Sequence, residues 1–122
     1  MKRLLIAITL LLTLSASAGV NERVRFAPGA SGATIKGAVI RGDRDVYVLG
    51  AGAGQWMKMK VYSLEDNAVL ELVNPDGSYE AMPGDGIDTK FYQSPLPSNG
   101  DYKIIVSSSR GNATYTLMIE IE

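Results

Sequence analysis

This chain predicts an all-β fold: an antiparallel β-sandwich of about eight strands with a jelly-roll or Greek-key path. Three observations carry that expectation. Apolar residues recur by twos, and no long stretch keeps the 3.6-residue period of an amphipathic helix. Turn signals rich in Gly, Pro, Asn and Asp interrupt the alternation every ~8 to 14 residues, the spacing of sandwich strands. Past its first segment the chain is one domain in length, enough for a self-sufficient core.

That first segment, residues 1–18, reads as a secretory signal peptide. Lys2 and Arg3 form a basic start, Leu4 to Leu14 an apolar run, and Ala16-Ser17-Ala18 an A-x-A cleavage site. The run is about 11 residues, well short of the roughly 20 that cross a bilayer as a helix. The mature domain is then residues 19–122, exported to the periplasm or beyond and free of the membrane. No cysteine occurs anywhere, so packing alone must hold an exported chain together.

Along the mature chain, Val24 and Phe26 flank a short first strand, and Ala27 to Gly32 makes a loop. Ile35, Gly37 and Val39 alternate in a second strand, which Arg41-Gly42-Asp43-Arg44 turns. Val46 and Val48 alternate with Asp45, Tyr47 and Leu49 in a third. Gly50 to Gly54 is a glycine-alanine connection. Met57, Met59 and Val61 then face one way, and Trp56, Lys58, Lys60 and Tyr62 the other. Ala68 to Val73 is apolar except at Glu71, as in a central strand. Asn74-Pro75-Asp76-Gly77 has the composition of a type I turn. Thr89 to Gln93 is a short strand. Tyr102, Ile104 and Val106, then Tyr115, Leu117, Ile119 and Ile121, mark the last two strands, with Ser107 to Asn112 as their turn. Tyr102, Ile104, Val106, Leu117, Ile119 and Met59 are the expected core.

Composition narrows function. Of 12 basic residues, Lys2 and Arg3 leave with the signal segment, so 10 stand against 13 acidic and the mature net charge is −3. That argues against nucleic acid as a partner. With neither His nor Cys, Ser-His-Asp, Cys-His and His-based zinc chemistry is unavailable. A carboxylate pair needs a cleft that short strands leave little room for, so no enzyme and no cofactor is expected.

Other motifs have plain readings. Gly50 to Gly54 resembles a phosphate loop, but a Lys-bearing strand follows where a helix N-terminus is needed. Arg41-Gly42-Asp43 spells an integrin-type tripeptide in an ordinary turn. Asn112-Ala113-Thr114 is a glycosylation sequon only in a eukaryotic secretory route. Asp76, Glu80, Asp85 and Asp88 cluster in Gly-rich loops, a weak alternative as a calcium site, with spacing that matches no EF-hand. Trp56, beside Lys58, Lys60 and Tyr62, is either a core residue under the second sheet, the favoured reading, or an exposed platform for sugar or protein.

Several blocks form a pattern together: Arg25-Phe26-Ala27-Pro28-Gly29 through Gly37, then Asp45 to Leu49 with Ala53-Gly54-Gln55. Leu96-Pro97-Ser98-Asn99-Gly100-Asp101-Tyr102 and Ala113 to Leu117 complete the set. In these blocks the chain resembles the bacterial periplasmic inhibitors of i-type and g-type lysozymes. The resemblance implies a rigid loop that plugs a lysozyme cleft, in which a Ser-Gly-x-Tyr pattern has Asn99 at the Ser position. It makes Ser98, Asn99, Gly100, Asp101 and Tyr102 partner-binding residues. Asn99 and Tyr102 would bond the catalytic carboxylate, while Arg110 would pair with an acidic rim. Gly42-Asp43-Arg44-Asp45-Val46-Tyr47, Asn74 to Gly77 and Gly100-Asp101-Tyr102 also resemble the pre-peptidase C-terminal domain. That likeness implies the alternative of a carbohydrate- or protein-binding module, with calcium as its stabilising ion. Both imply the same sandwich.

Overall fold

The computed structural model describes residues 19–81 and 90–122, so the signal segment, Asp85, Asp88 and Thr89, the expected start of a strand, lie outside the described residues. Eight strands are present: β1 Asn21–Arg23, β2 Gly32–Val39, β3 Arg44–Ala51, β4 Trp56–Tyr62, β5 Ala68–Val73, β6 Phe91–Pro95, β7 Gly100–Ser108 and β8 Ala113–Ile121. No helix occurs among the described residues. The odd-numbered strands form one sheet in the order β1-β3-β7-β5, and the even-numbered strands form the other in the order β2-β8-β4-β6. Every step along the chain therefore crosses from one sheet to the other.

The period-2 patterns explain this arrangement. In β4, Met57, Met59 and Val61 are buried, while Lys58 and Lys60 are exposed. Tyr102, Ile104 and Val106 of β7 meet Leu117 and Ile119 of β8 across the space between the sheets, within one core cluster. All six expected core residues are buried. A core of this kind supplies the main driving force, at ~25 cal/mol per Å² of apolar surface removed from water.

Four details differ from expectation. The first strand, expected between Val24 and Phe26, comes earlier as β1 at Asn21–Arg23. β1 runs parallel to β3, with Asn21 opposite Val46 and Arg23 opposite Val48, so the sandwich is not wholly antiparallel. The strand expected at Thr89 to Gln93 is β6 at Phe91–Pro95, at a sheet edge, where the missing N–H of Pro95 leaves no central ladder bond open. Trp56 is not core: it points outward and is 47% exposed, because Met57, Met59 and Val61 fill the inner face of its strand.

Antiparallel pairing of β3 with β7, Ala51 opposite Gly100 and Arg44 opposite Ser107, defines two ends of the sandwich. The loop end carries residues 51–56, 74–78 and 95–100. The hairpin end carries residues 40–43, 63–67 and 109–112, together with Gly19 and Val20.

Candidate functional site

At the loop end, the segment before β7 is braced against the β3–β4 connection. Leu96 is buried, its N–H donates to the Gln55 carbonyl at 2.8 Å, and its carbonyl accepts the Gly54 N–H at 2.9 Å. The Gln55 side chain folds back, with Oε1 accepting the Gly52 N–H at 2.6 Å. Asn99 Oδ1 accepts the Ala53 N–H at 2.7 Å. Because a backbone N–H only donates, that atom must be the carboxamide oxygen, and the Asn99 NH₂ faces away. Among the described residues this NH₂ donates to nothing, and Asn99 is exposed.

Gly100 shapes the turn into β7. Its φ of +136° lies where side chains are strained, and a Cβ there would sit 2.9 Å from Pro75 Cβ. Asp101 is tied sideways to Arg23 of β1 through Nη1 to Oδ1 at 3.2 Å and Nη2 to Oδ2 at 2.5 Å. That forked contact with Arg23 holds the Asp101 carboxyl below its usual range. Both partners are exposed, so the bond fixes the loop's direction more than it stabilises the fold.

Two of the sequence-expected contact residues also hold the chain's own loops. Tyr102 is 0% exposed, and its hydroxyl donates to the Ser98 carbonyl at 2.6 Å and accepts the Ser98 N–H at 3.1 Å. Both bonds of that hydroxyl stay within the loop, so Tyr102 braces it from beneath. Arg110 sits at the other end of β7. Eight steps of ~3.4 Å put it about 27 Å from the loop. Its guanidinium donates to the exposed Glu65 carbonyl at 2.9 Å. Ser98, Asn99, Gly100, Asp101 and Tyr102 are thus brought together, and Arg110 is not. Sequence reasoning missed Gln55 and Arg23. It also favoured a core place for Trp56, which stands on the rim of the loop end opposite Pro95.

The remaining motifs settle into structural roles. Asp76 Oδ1 accepts the Ser78 N–H and hydroxyl at 2.9 and 2.6 Å, which lowers its pKa and closes the turn. The Glu80 carboxylate receives Asn74 Nδ2 at 3.2 Å and the Tyr92 hydroxyl at 3.3 Å. Among the described residues no three acidic, His or Cys side chains gather as metal ligands. Arg41-Gly42-Asp43 is a turn closed by the Asp43 N–H to the Ile40 carbonyl, with Gly42 at φ +88°. Asn112 Oδ1 accepts the Arg41 N–H at 2.8 Å, and residues 52–55 lead into β4 rather than a helix.

A β-sandwich with braced loops at one end and an exposed Trp on their rim is a binding scaffold. No protein-family model matches the chain, and no curated protein sequence matches it. Solved structures do. Aeromonas hydrophila PliG, a periplasmic lysozyme inhibitor of g-type lysozyme, is 26% identical with a TM-score of 0.70, over 87% of this chain and 100% of that one. Salmonella Typhimurium PliG, also a periplasmic inhibitor of g-type lysozyme, is 24% identical with a TM-score of 0.68, over 86% and 100%. The pre-peptidase C-terminal domain of Bacillus anthracis collagenase has the same fold at 20% identity and a TM-score of 0.57, over 85% and 99%. The chain therefore resembles the periplasmic lysozyme inhibitors. These first two neighbours are inhibitors and not enzymes, in line with a binding role.

Proposed function

We propose that the chain is exported, loses residues 1–18, and inhibits a lysozyme of the g type in the periplasm by setting its loop end into the enzyme's cleft. The observation that carries this reading is Asn99. Its oxygen is locked by the Ala53 N–H, and its NH₂ is left aimed outward on a rigid turn. An NH₂ so held offers two donors to a carboxylate, the group a lysozyme uses for catalysis. A pre-organised loop binds with little loss of conformational freedom. Gln55 and Trp56 flank it and enlarge the contact toward the ~1,600 Å² of a standard interface. Tyr102 and Arg23 act as positioning residues.

The test is a lysozyme assay on wild-type and Asn99→Ala protein. Wild type should abolish g-type lytic activity at stoichiometric excess. Asn99→Ala should bind about 1 to 3 kcal/mol more weakly while its melting temperature moves little, since only one exposed hydrogen bond is lost. Tyr102→Ala should lose both stability and inhibition. Full lytic activity of g-, i- and c-type enzymes in excess wild-type protein would end the inhibitor reading. Undiminished binding by Asn99→Ala would remove Asn99 from it.

A further inference from the structure

The hairpin end holds a buried carboxylate whose partners among the described residues are neutral, with no cation among them. Asp45 is 1% exposed. Its Oδ1 accepts the Val20 N–H at 2.9 Å and its Oδ2 accepts the Tyr115 hydroxyl at 2.6 Å. That hydroxyl meets the Tyr47 hydroxyl at 2.5 Å. Ionised carboxylates taken out of water need a positive partner as well as hydrogen bonds. Among the described residues the ion pairs are Arg23 with Asp101, Lys58 with Glu120 and Lys90 with Asp66, none of them to Asp45.

The chain that reaches Asp45 is the start of the expected mature segment. The Val46 N–H donates to the Val20 carbonyl at 2.8 Å, so residue 20 is held on both sides. Gly19 lies so close to β3 that a Cβ on it would be 2.2 Å from the Arg44 carbonyl oxygen and 3.0 Å from Asp45 Oδ1. Backbone cannot yield as a flexible side chain would, so only glycine fits. This same glycine directly follows Ala16-Ser17-Ala18. Its nitrogen is one bond of ~1.46 Å from the Cα packed there.

We propose that Asp45 and the Arg44 carbonyl form a receptor for the chain's own processed amino terminus, with the Gly19 α-ammonium as the missing cation. The inference rests on the export reading and is independent of which partner is bound. Water adds across the Ala18–Gly19 peptide bond under a signal peptidase, leaving a carboxylate on Ala18 and an ammonium on Gly19. A neutral amide becomes a charged group with three donors beside a buried carboxylate and a backbone carbonyl. Processing thereby completes the fold it releases.

Three forms of the protein test this: a chain beginning at Gly19 with a free amine, the same chain Nα-acetylated, and one extended to Ala18. The free Gly19 form should melt about 4–8 °C above each of the others, the shift expected of one modest interaction in a domain this size. In Asp45→Asn the gap should vanish. Equal melting of all three wild-type forms would overturn the pairing. Should Asp45→Asn not fold, the amine of ¹⁵N-glycine-labelled wild type is titrated by NMR instead. A midpoint above the ~7.7–8.0 of a free terminus supports the pair, and one within that range refutes it. The groups facing Asp45 are Tyr115 and Tyr47, with Glu22 near Tyr47. Burial pushes both tyrosines up, so they stay protonated through that range. N-terminal sequencing of exported protein separates the two premises. A start other than Gly19 defeats the processing step, whereas a correct start with equal melting defeats the pairing alone.

Discussion

The two ends of the sandwich use the same residue type in opposite ways. At the hairpin end Asn67 is 3% exposed, and its NH₂ donates to the Arg110 carbonyl at 2.7 Å and the Asn112 carbonyl at 3.0 Å. Ser63 Oγ accepts the Asn67 and Ala68 N–H groups at 2.9 and 3.2 Å, closing the β4–β5 connection beneath it. At the loop end Asn99 has its oxygen held and its NH₂ open to solvent. A fully bonded amide fastens one loop to another; a half-bonded amide on a rigid loop is available to a partner. Burial is what separates the two roles.

The largest effect should come from breaking the fastened end. Asn67→Ala leaves the Arg110 and Asn112 carbonyls without their donor and opens a small void, a loss of about 2 to 4 kcal/mol. Urea denaturation measures it, and lysozyme inhibition by the protein that remains folded should be unchanged. If Asn67→Ala costs less than Asn99→Ala in stability, the contrast between the ends is wrong.

Gly37→Ala comes next. A Cβ there would lie 2.6 Å from the Tyr115 hydroxyl oxygen, and that ring cannot swing aside because Asp45 and Tyr47 hold its hydroxyl. The resulting overpacking should cost about 1 to 3 kcal/mol. Urea denaturation measures it, and a loss below about 0.5 kcal/mol would show that the Tyr115 ring and β2 adjust freely to the added methyl.

The same cluster sets an alkaline limit. Burial and hydrogen bonds to Asp45 and Tyr47 push the Tyr115 pKa well above the ordinary tyrosine value, and burial raises Tyr47 as well. An acid whose folded pKa is raised contributes fully below its unfolded value. Its contribution is lost as pH rises past that value, because the unfolded chain ionises first. Stability should therefore fall steadily above about pH 10, and phenolate absorbance from these two rings should appear together with unfolding. Their titration in a still-folded protein would contradict the buried cluster.

How far the sequence carried each region follows from the range of its interactions. β4 was legible residue by residue, since alternation of Met57, Met59 and Val61 with Trp56, Lys58, Lys60 and Tyr62 fixes both strand and faces. Which of those faces met the other sheet was not local information, and Trp56 was misjudged for that reason. Asn67 was invisible because its acceptors lie 43 and 45 residues away, and the Arg23–Asp101 bond spans 78. The parallel placement of β1 likewise depends on Val20 and Asp45 meeting across 25 residues. The distance between Arg110 and the Ser98–Tyr102 loop was legible. Alternation from Tyr102 to Val106 already implied an extended strand, and an extended strand of that length separates its two ends by more than a loop can bridge.

Arg110 therefore yields the smallest and most discriminating prediction. Among the described residues its guanidinium makes one hydrogen bond, to the exposed Glu65 carbonyl, while its backbone carbonyl rather than its side chain serves Asn67. Arg110→Ala keeps that carbonyl, so stability should change by no more than about 0.5 kcal/mol, as for other surface substitutions. Inhibition should not change either, because a loop seated in a cleft leaves a residue about 27 Å away along β7 outside the contact. A partner that wraps the whole length of β7 would reach both ends, and only then would Arg110→Ala weaken inhibition. Equal inhibition by wild type and Arg110→Ala, beside a loss in Asn99→Ala, confines recognition to the loop end. A loss in both would show that the hairpin end also meets the partner, and that its saturated hydrogen bonds do not exclude it from binding.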